Sequence, residues 1–64
     1  NKVSLNQASA TELQDKLNGI GEKKAQAIVE YREKNGKFKS IDELKNVKGI
    51  GDKLLEKNRS NLAL

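Results

Sequence analysis

Two glycine-isoleucine-glycine triplets, Gly19-Ile20-Gly21 and Gly49-Ile50-Gly51, stand 30 residues apart in a chain of 64. Each follows an apolar segment and precedes a lysine-bearing helical pattern. Glycines on either side of one apolar residue let the backbone turn at φ values closed to residues with a Cβ, and leave space for a ligand to approach the chain. Geometry asks for these glycines even in a domain that binds nothing, with Ile20 and Ile50 facing inward as plugs of the core. It does not ask for a cation two residues beyond each turn, yet Lys23 and Lys53 stand there. A helix starting at each turn points its unpaired N–H groups, with their partial positive charge, at the same spot. The chemistry this suits is the holding of phosphate, and two such turns suit a polyanion better than a small phosphate ester. Lys48 adds a cation at the mouth of the second turn, where the first has Asn18. Lys24 is a weaker candidate, because its counterpart in the second repeat is Leu54.

Composition bounds what else the chain can do. A chain of 64 residues makes one domain with a small core, since about 60% of the unfolded surface is buried at this size, and it has no room for a deep catalytic cleft. Cysteine, histidine, proline, methionine and tryptophan are absent. This removes disulfides, thiolate and imidazole metal sites and the usual nucleophile and base pairings, so the reading is of a non-enzyme without a small-molecule substrate, resident cofactor or metal. Thirteen Lys and Arg against nine Asp and Glu give a formal charge of +4, which favours nucleic acid or an anionic surface. Residues 1–34 hold six basic and five acidic groups, a net +1, and residues 35–64 seven and four, a net +3. No apolar run approaches membrane-spanning length and the amino terminus has no signal-peptide core. The start at Asn1 suggests a trimmed chain, and membrane attachment would need a segment outside this sequence. Nothing in the sequence sets an oligomeric state.

The elements that position the turns follow from caps and periodicity. Ser9 with Glu12 and Ser40 with Glu43 form Ser-x-x-Glu capping boxes, each stabilising a helix start by roughly 1 kcal/mol. The caps lie 31 apart and the turns 30 apart, so the first unit carries one extra residue, placed in 14–16. A first helix is expected over about 10–17 with Leu13 and Leu17 on one face. A second is expected from Glu22 to about Lys34 with Ala25, Ile28 and Val29 inward, ended by Gly36 in the left-handed conformation. A third starts at Ser40 and shows Ile41, Leu44 and Val47. A fourth starts near Asp52 with Leu54, Leu55 and Asn58, and breaks up at residues 59–61. Val3, Leu5 and Ala8 at one end, and residues 62–64 at the other, are expected to fold back on the core. Tyr31 and Phe38 read as core or core-edge rather than a stacking platform, which would need several exposed rings. Lys37, Lys39, Lys45, Lys57, Arg32 and Arg59 read as solvated surface, with carboxylates the expected partners of Arg32.

With the repeated units Leu17-Asn18-Gly19-Ile20-Gly21 and Val47-Lys48-Gly49-Ile50-Gly51, the chain resembles the helix-hairpin-helix family, whose pattern is apolar-x-Gly-apolar-Gly between two short helices. The resemblance covers nearly all of the chain. It implies an all-α fold: a compact tandem helix-hairpin-helix of four to five short helices in one domain over 1–64, with hairpin one at about 9–34 and hairpin two at about 40–58, related by a pseudo-two-fold. The lead Val3 to Ser9, the segment Lys24 to Arg32 and the connector Gly36-x-Phe38-x-Ser40 look most like the DNA-binding domain of bacterial competence protein ComEA and its small relatives. The family's first hairpin usually has proline before its Gly-x-Gly. Asn18, which tolerates the left-handed conformation, stands in that place here, and Lys48 in the second.

That resemblance implies sequence-independent binding of double-stranded DNA through phosphates, with Gly19, Ile20, Gly21, Lys23, Lys24, Lys48, Gly49, Ile50, Gly51 and Lys53 as the contact residues, and a monovalent cation held by turn carbonyls as a family option. No helix is rich enough in Arg, Asn or Gln to read base edges in the major groove. A competence-type role would place the domain in the periplasm or outside the cell, capturing DNA for uptake. A DNA repair or recombination accessory domain in the cytoplasm is the neighbouring reading. A protein interaction module on the same fold is a third, and its mark would be an exposed apolar patch, with Leu55, Leu62 and Leu64 the candidates. A glycosylase-like enzyme would need a second domain and a base pocket.

Overall fold

The computed structural model describes residues 2–64. In chain order the elements are strand β1 (Val3–Ser4), helix α1 (Ala10–Lys16), helix α2 (Glu22–Asn35), a 3₁₀ segment (Ile41–Asn46), helix α3 (Asp52–Asn58), a second 3₁₀ segment (Arg59–Asn61) and strand β2 (Leu62–Ala63). The fold is mostly helical, as the repeat pattern predicts. The two strands were not foreseen. They pair in parallel, Val3 opposite Leu62 and Ser4 opposite Ala63, and the ladder continues as the Leu5 N–H donates to the Ala63 carbonyl at 2.8 Å. Both ends do fold back as expected, burying Val3, Leu5, Ala8 and Leu62, and backbone pairing is what satisfies the polar groups buried with them.

The extra residue of the first unit changes the kind of helix. Between Ser9 and Leu17 the chain makes seven residues of α-helix; between Ser40 and Val47 it makes six residues of 3₁₀. Two turns take about 7.2 residues at 3.6 per turn and about 6 at 3.0 per turn, so each segment completes two turns before its glycine hairpin. The spacing of Ile41, Leu44 and Val47 by threes is thus the period of a 3₁₀ helix. Only the first capping box closes. Glu12 N–H donates to Ser9 Oγ at 3.1 Å and Ser9 N–H to Glu12 Oε1 at 3.3 Å. In the second, Ser40 Oγ accepts from Glu43 N–H at 3.2 Å, but Glu43 reaches one residue further back, accepting from Lys39 N–H at 2.8 Å and from the Tyr31 hydroxyl at 3.0 Å. Those two donors hold the Glu43 carboxyl below its ordinary value.

Helix α2 carries Ala25 and Ile28 into a core completed by Leu13, Leu17, Ile20, Leu44, Val47, Ile50 and Leu55. Gly36 ends it at φ 88°, but with ψ −178°, so the chain leaves in the extended mirror region rather than the left-handed helical one. Phe38 is buried and stacks on Tyr31, centroids 5.1 Å apart. Asn6 holds that connector in place: Phe38 N–H donates to Asn6 Oδ1 at 2.6 Å, and Asn6 Nδ2 to the Phe38 carbonyl at 3.2 Å. Arg32 does not pair with a carboxylate; its Nη1 donates to the Leu5 carbonyl at 2.9 Å, fastening α2 to the amino-terminal segment. Arg59 is likewise tied down rather than merely solvated, with Nη2 at 2.6 Å from both Asp42 and Glu56. It thereby links the first 3₁₀ segment to α3, and its guanidinium holds the Asp42 and Glu56 carboxyls below their ordinary values.

Candidate nucleic-acid interface

The two glycine turns share one geometry. Each begins at a buried apolar residue in extended conformation, Leu17 (φ −104°, ψ 143°) or Val47 (φ −77°, ψ 133°). Each then passes through a first glycine of positive φ, 75° at Gly19 and 91° at Gly49, the position at which a type II turn requires glycine. The Ile50 N–H closes the second turn on the Val47 carbonyl at 3.1 Å. Ile20 and Ile50 then plug the core, 4% and 5% exposed, so neither side chain can face a ligand, and the Ile50 N–H is already spent on Val47.

The second glycine of each turn is different. Gly21 (φ −90°) and Gly51 (φ −112°) are the N-cap residues of α2 and α3, in extended conformation open to any residue. A Cβ at either would meet nothing within 4 Å. The expectation that geometry demands all four glycines therefore holds for Gly19 and Gly49 and fails for Gly21 and Gly51. These two leave bare backbone in open space, and no side chain caps the helix start behind them. The first intrahelical bonds are Ala25 N–H to the Gly21 carbonyl at 2.9 Å and Leu55 N–H to the Gly51 carbonyl at 3.0 Å. The N–H groups ahead of those bonds have no acceptor one turn back within the helix. A Ser or Asp in place of glycine would supply one. Lys23 and Lys53 are exposed immediately beyond.

Reciprocal packing holds the turns side by side. A Cβ on Gly19 would lie 2.9 Å from Leu54 Cδ1, and one on Gly49 would lie 3.6 Å from Lys24 Cε and 3.7 Å from its Cγ. Positions 24 and 54 are 30 apart, as 19 and 49 are, so each hairpin's first glycine receives the same helix position of the other unit, as a pseudo-two-fold requires. The structure thus sets Leu54 against the first turn and Lys24 against the second, while Lys23, Lys48 and Lys53 stand exposed beside their own turns.

Asn18 does not take the left-handed conformation, since every positive φ among the described residues belongs to glycine. Its turn is held from outside by Asn58, whose importance the sequence did not reveal. Asn18 N–H donates to Asn58 Oδ1 at 2.7 Å, and Asn58 Nδ2 donates to the Asn18 carbonyl at 2.9 Å and the Leu54 carbonyl at 3.0 Å. At 1% exposure Asn58 is the one buried polar side chain among the described residues. The available signal was an asparagine at the repeat position of Ile28, where the period calls for an apolar residue.

Two helical units in tandem, each turning through a glycine hairpin between its two helices and joined to the other by the connector at 36–39, are the class that this fold defines. The model of the helix-hairpin-helix motif matches residues 1–63, and the chain belongs to that family. It is 52% identical over 61 residues to an uncharacterized protein of Haemophilus influenzae, covering 95% of this chain and 54% of the relative. It is 44% identical over 62 residues to ComE operon protein 1 of Bacillus subtilis, covering 97% of this chain and 30% of the relative. Kinesin-like protein KIF22 of Mus musculus is 48% identical over 52 residues, 81% of this chain and 8% of the relative. The chain therefore spans about half or less of the length of these relatives.

Proposed function

We propose that this domain binds double-stranded DNA without regard to sequence, its two hairpins holding phosphates of the two strands across the minor groove. The observation that carries the reading is the pair Gly21 and Gly51, glycines without a folding reason at equivalent places in both repeats, each opening a helix start to solvent. Backbone amides at Gly19, Gly21, Gly49, Gly51 and the first residues of α2 and α3 are the donors, with Lys23, Lys24, Lys48 and Lys53 as flanking cations. Phosphate contacts position a protein but carry no sequence information. Membership of the helix-hairpin-helix family supports DNA as the partner, and the likeness to the competence branch supports uptake of DNA outside the cytoplasm as the setting. Among the described residues no helix is long and apolar enough to cross a membrane.

The interaction-module reading loses its footing in the core. Leu55 and Leu62 are buried, and Leu64, 47% exposed, is the only large apolar side chain left outside among the described residues. The turn carbonyls that would hold a monovalent cation are partly engaged, Asn18 O by Asn58 and Val47 O by the Ile50 N–H, and the proposal routes nothing through an ion.

With extents of 24 × 22 × 21 Å, the domain covers roughly 7 base pairs at about 3.4 Å each. Neutralising about 4 phosphates gives a log-log salt slope of about −3.6, and an isolated module binds in the range of roughly 10⁻⁴ to 10⁻⁶ M. Fluorescence anisotropy with two unrelated duplexes and a single strand at several salt concentrations tests this. Equal affinity for both duplexes, a steep salt slope and weaker single-strand binding support the reading. Absence of duplex binding at low salt, or strong preference for one duplex, refutes it.

A further inference from the structure

The two hairpins are alike in backbone but not in charge. Around the first stand Lys23 and Glu22, with Asn18 at the turn and Leu54 packed on Gly19. Around the second stand Lys53 and Lys48, and Asp52 there is paired with Lys45 at 3.5 Å. Glu22 has no such side-chain partner among the described residues. Lys24 adds to the imbalance. It grows from the first unit, but its aliphatic chain, from Cγ to Cε, runs alongside Gly49, which leaves it half-buried with its stem laid on the second turn. We infer that Lys24 is a phosphate-binding residue of the second hairpin, delivered in trans from α2, and that the second hairpin is the dominant anchor on the nucleic acid while the first contributes chiefly backbone amides.

This rests on the proposed DNA binding and deepens it. A lysine stem laid along a glycine has its direction fixed by packing while its charged end stays in solvent, so less side-chain freedom is lost when a phosphate arrives. The symmetry-related Leu54 packs on Gly19 with no charge to deliver. Strand contacts are then unequal: one strand meets three lysines around the second hairpin, the other meets one.

The test is a cycle in the intact 64-residue domain, read by anisotropy with a random-sequence duplex at 50 mM salt. Lys24→Met keeps the aliphatic stem on Gly49 and removes the charge; Lys24→Arg keeps both. Gly21→Asp and Gly51→Asp disable one hairpin each, at positions where the added side chain meets open space. Lys24→Met should weaken binding by the order of 10-fold in the wild type, from a slope of about 0.9 per phosphate. The same factor should persist with Gly21→Asp and fall below about 2-fold with Gly51→Asp, while Lys24→Arg binds as the wild type. The opposite pattern, with the loss abolished by Gly21→Asp, would assign Lys24 to its own hairpin and overturn the inference. Equal losses in both backgrounds would reduce it to a general field effect and overturn it too. Absence of wild-type duplex binding would strike the proposed function itself, and is told apart because it precedes any substitution.

Discussion

Replacing Gly21 and Gly51 together by aspartate sets folding and binding in opposition, because the structure gives these glycines no part in the fold. Each has an ordinary φ, nothing within 4 Å of an added Cβ, and the N-cap place of a helix that lacks a side-chain cap. Aspartate there accepts from the second or third N–H of the helix and improves on glycine by a few tenths of a kcal/mol. Restricting the unfolded chain adds about 0.4–1 kcal/mol. After discounting for repulsion from the adjacent Glu22 and Asp52, about 0.5 kcal/mol remains per site, or about 1 kcal/mol for both. For a domain of this size that raises Tm by about 4–8 °C. The same carboxylates occupy the donors offered to phosphate. Losing one charge-assisted hydrogen bond per hairpin removes about 1.5–3 kcal/mol each, and the double variant should bind duplex roughly 10²- to 10⁴-fold more weakly. Thermal melts followed by circular dichroism and anisotropy titrations of the same preparations measure both. A variant that melts higher yet binds duplex as the wild type does would refute the reasoning, for it would show that these amides never meet phosphate.

Gly19→Ala places a Cβ at φ 75° and 2.9 Å from Leu54 Cδ1, so it should destabilise by about 1–3 kcal/mol, whereas Gly21→Ala should shift Tm little; equal effects in thermal melts would contradict this division of the glycines. Asn58→Ala strips the partners from the Asn18 N–H and carbonyl and should cost about 2–6 kcal/mol at roughly 1–3 kcal/mol per orphaned group, measured by urea denaturation. Asp42, Glu43 and Glu56 have folded values below the ordinary 3.8 and 4.5. Their contribution is therefore complete above about pH 5 and drains away as pH falls through those lowered values. Tm should be level from pH 8 to 6 and fall in acid, and Arg59→Gln, which removes the partner of two of the three, should flatten that fall. Lys37→Ala with Lys39→Ala should change duplex affinity by no more than the loss of net charge, about 2-fold; a loss as large as that from the hairpin variants would move the contact surface to the connector.

How much of this was legible follows from which forces act locally. The glycine triplets, the Ser9 cap and the apolar periodicity of α2 are short-range signals, and the structure follows them closely. The conformation of residues 41–46 was readable in retrospect, since a spacing by threes is a 3₁₀ period, but one missing residue is a faint signal against a strong α-helical pattern. What remained hidden depends on distant partners. Asn6 on Phe38 and Asn58 on Asn18 are bonds across 32 and 40 residues, and an isolated asparagine in a sequence looks the same whether it caps, turns or cross-links. The pairing of β1 with β2 joins two-residue strands from opposite ends, too short for any alternation to show. At the candidate site the residue types were legible. The direction of Lys24 was not, because it is set by packing on a glycine of the other repeat.

Backbone amide NMR during titration with a random-sequence duplex examines the central claim most directly, because it reports each N–H separately. The account predicts the largest shifts at the amides of Gly19, Gly21, Lys23, Gly49, Gly51 and Lys53, with the connector at 36–39 and the strands β1 and β2 nearly unmoved. Shifts gathered on the connector or around Leu64, with both glycine turns silent, would contradict it.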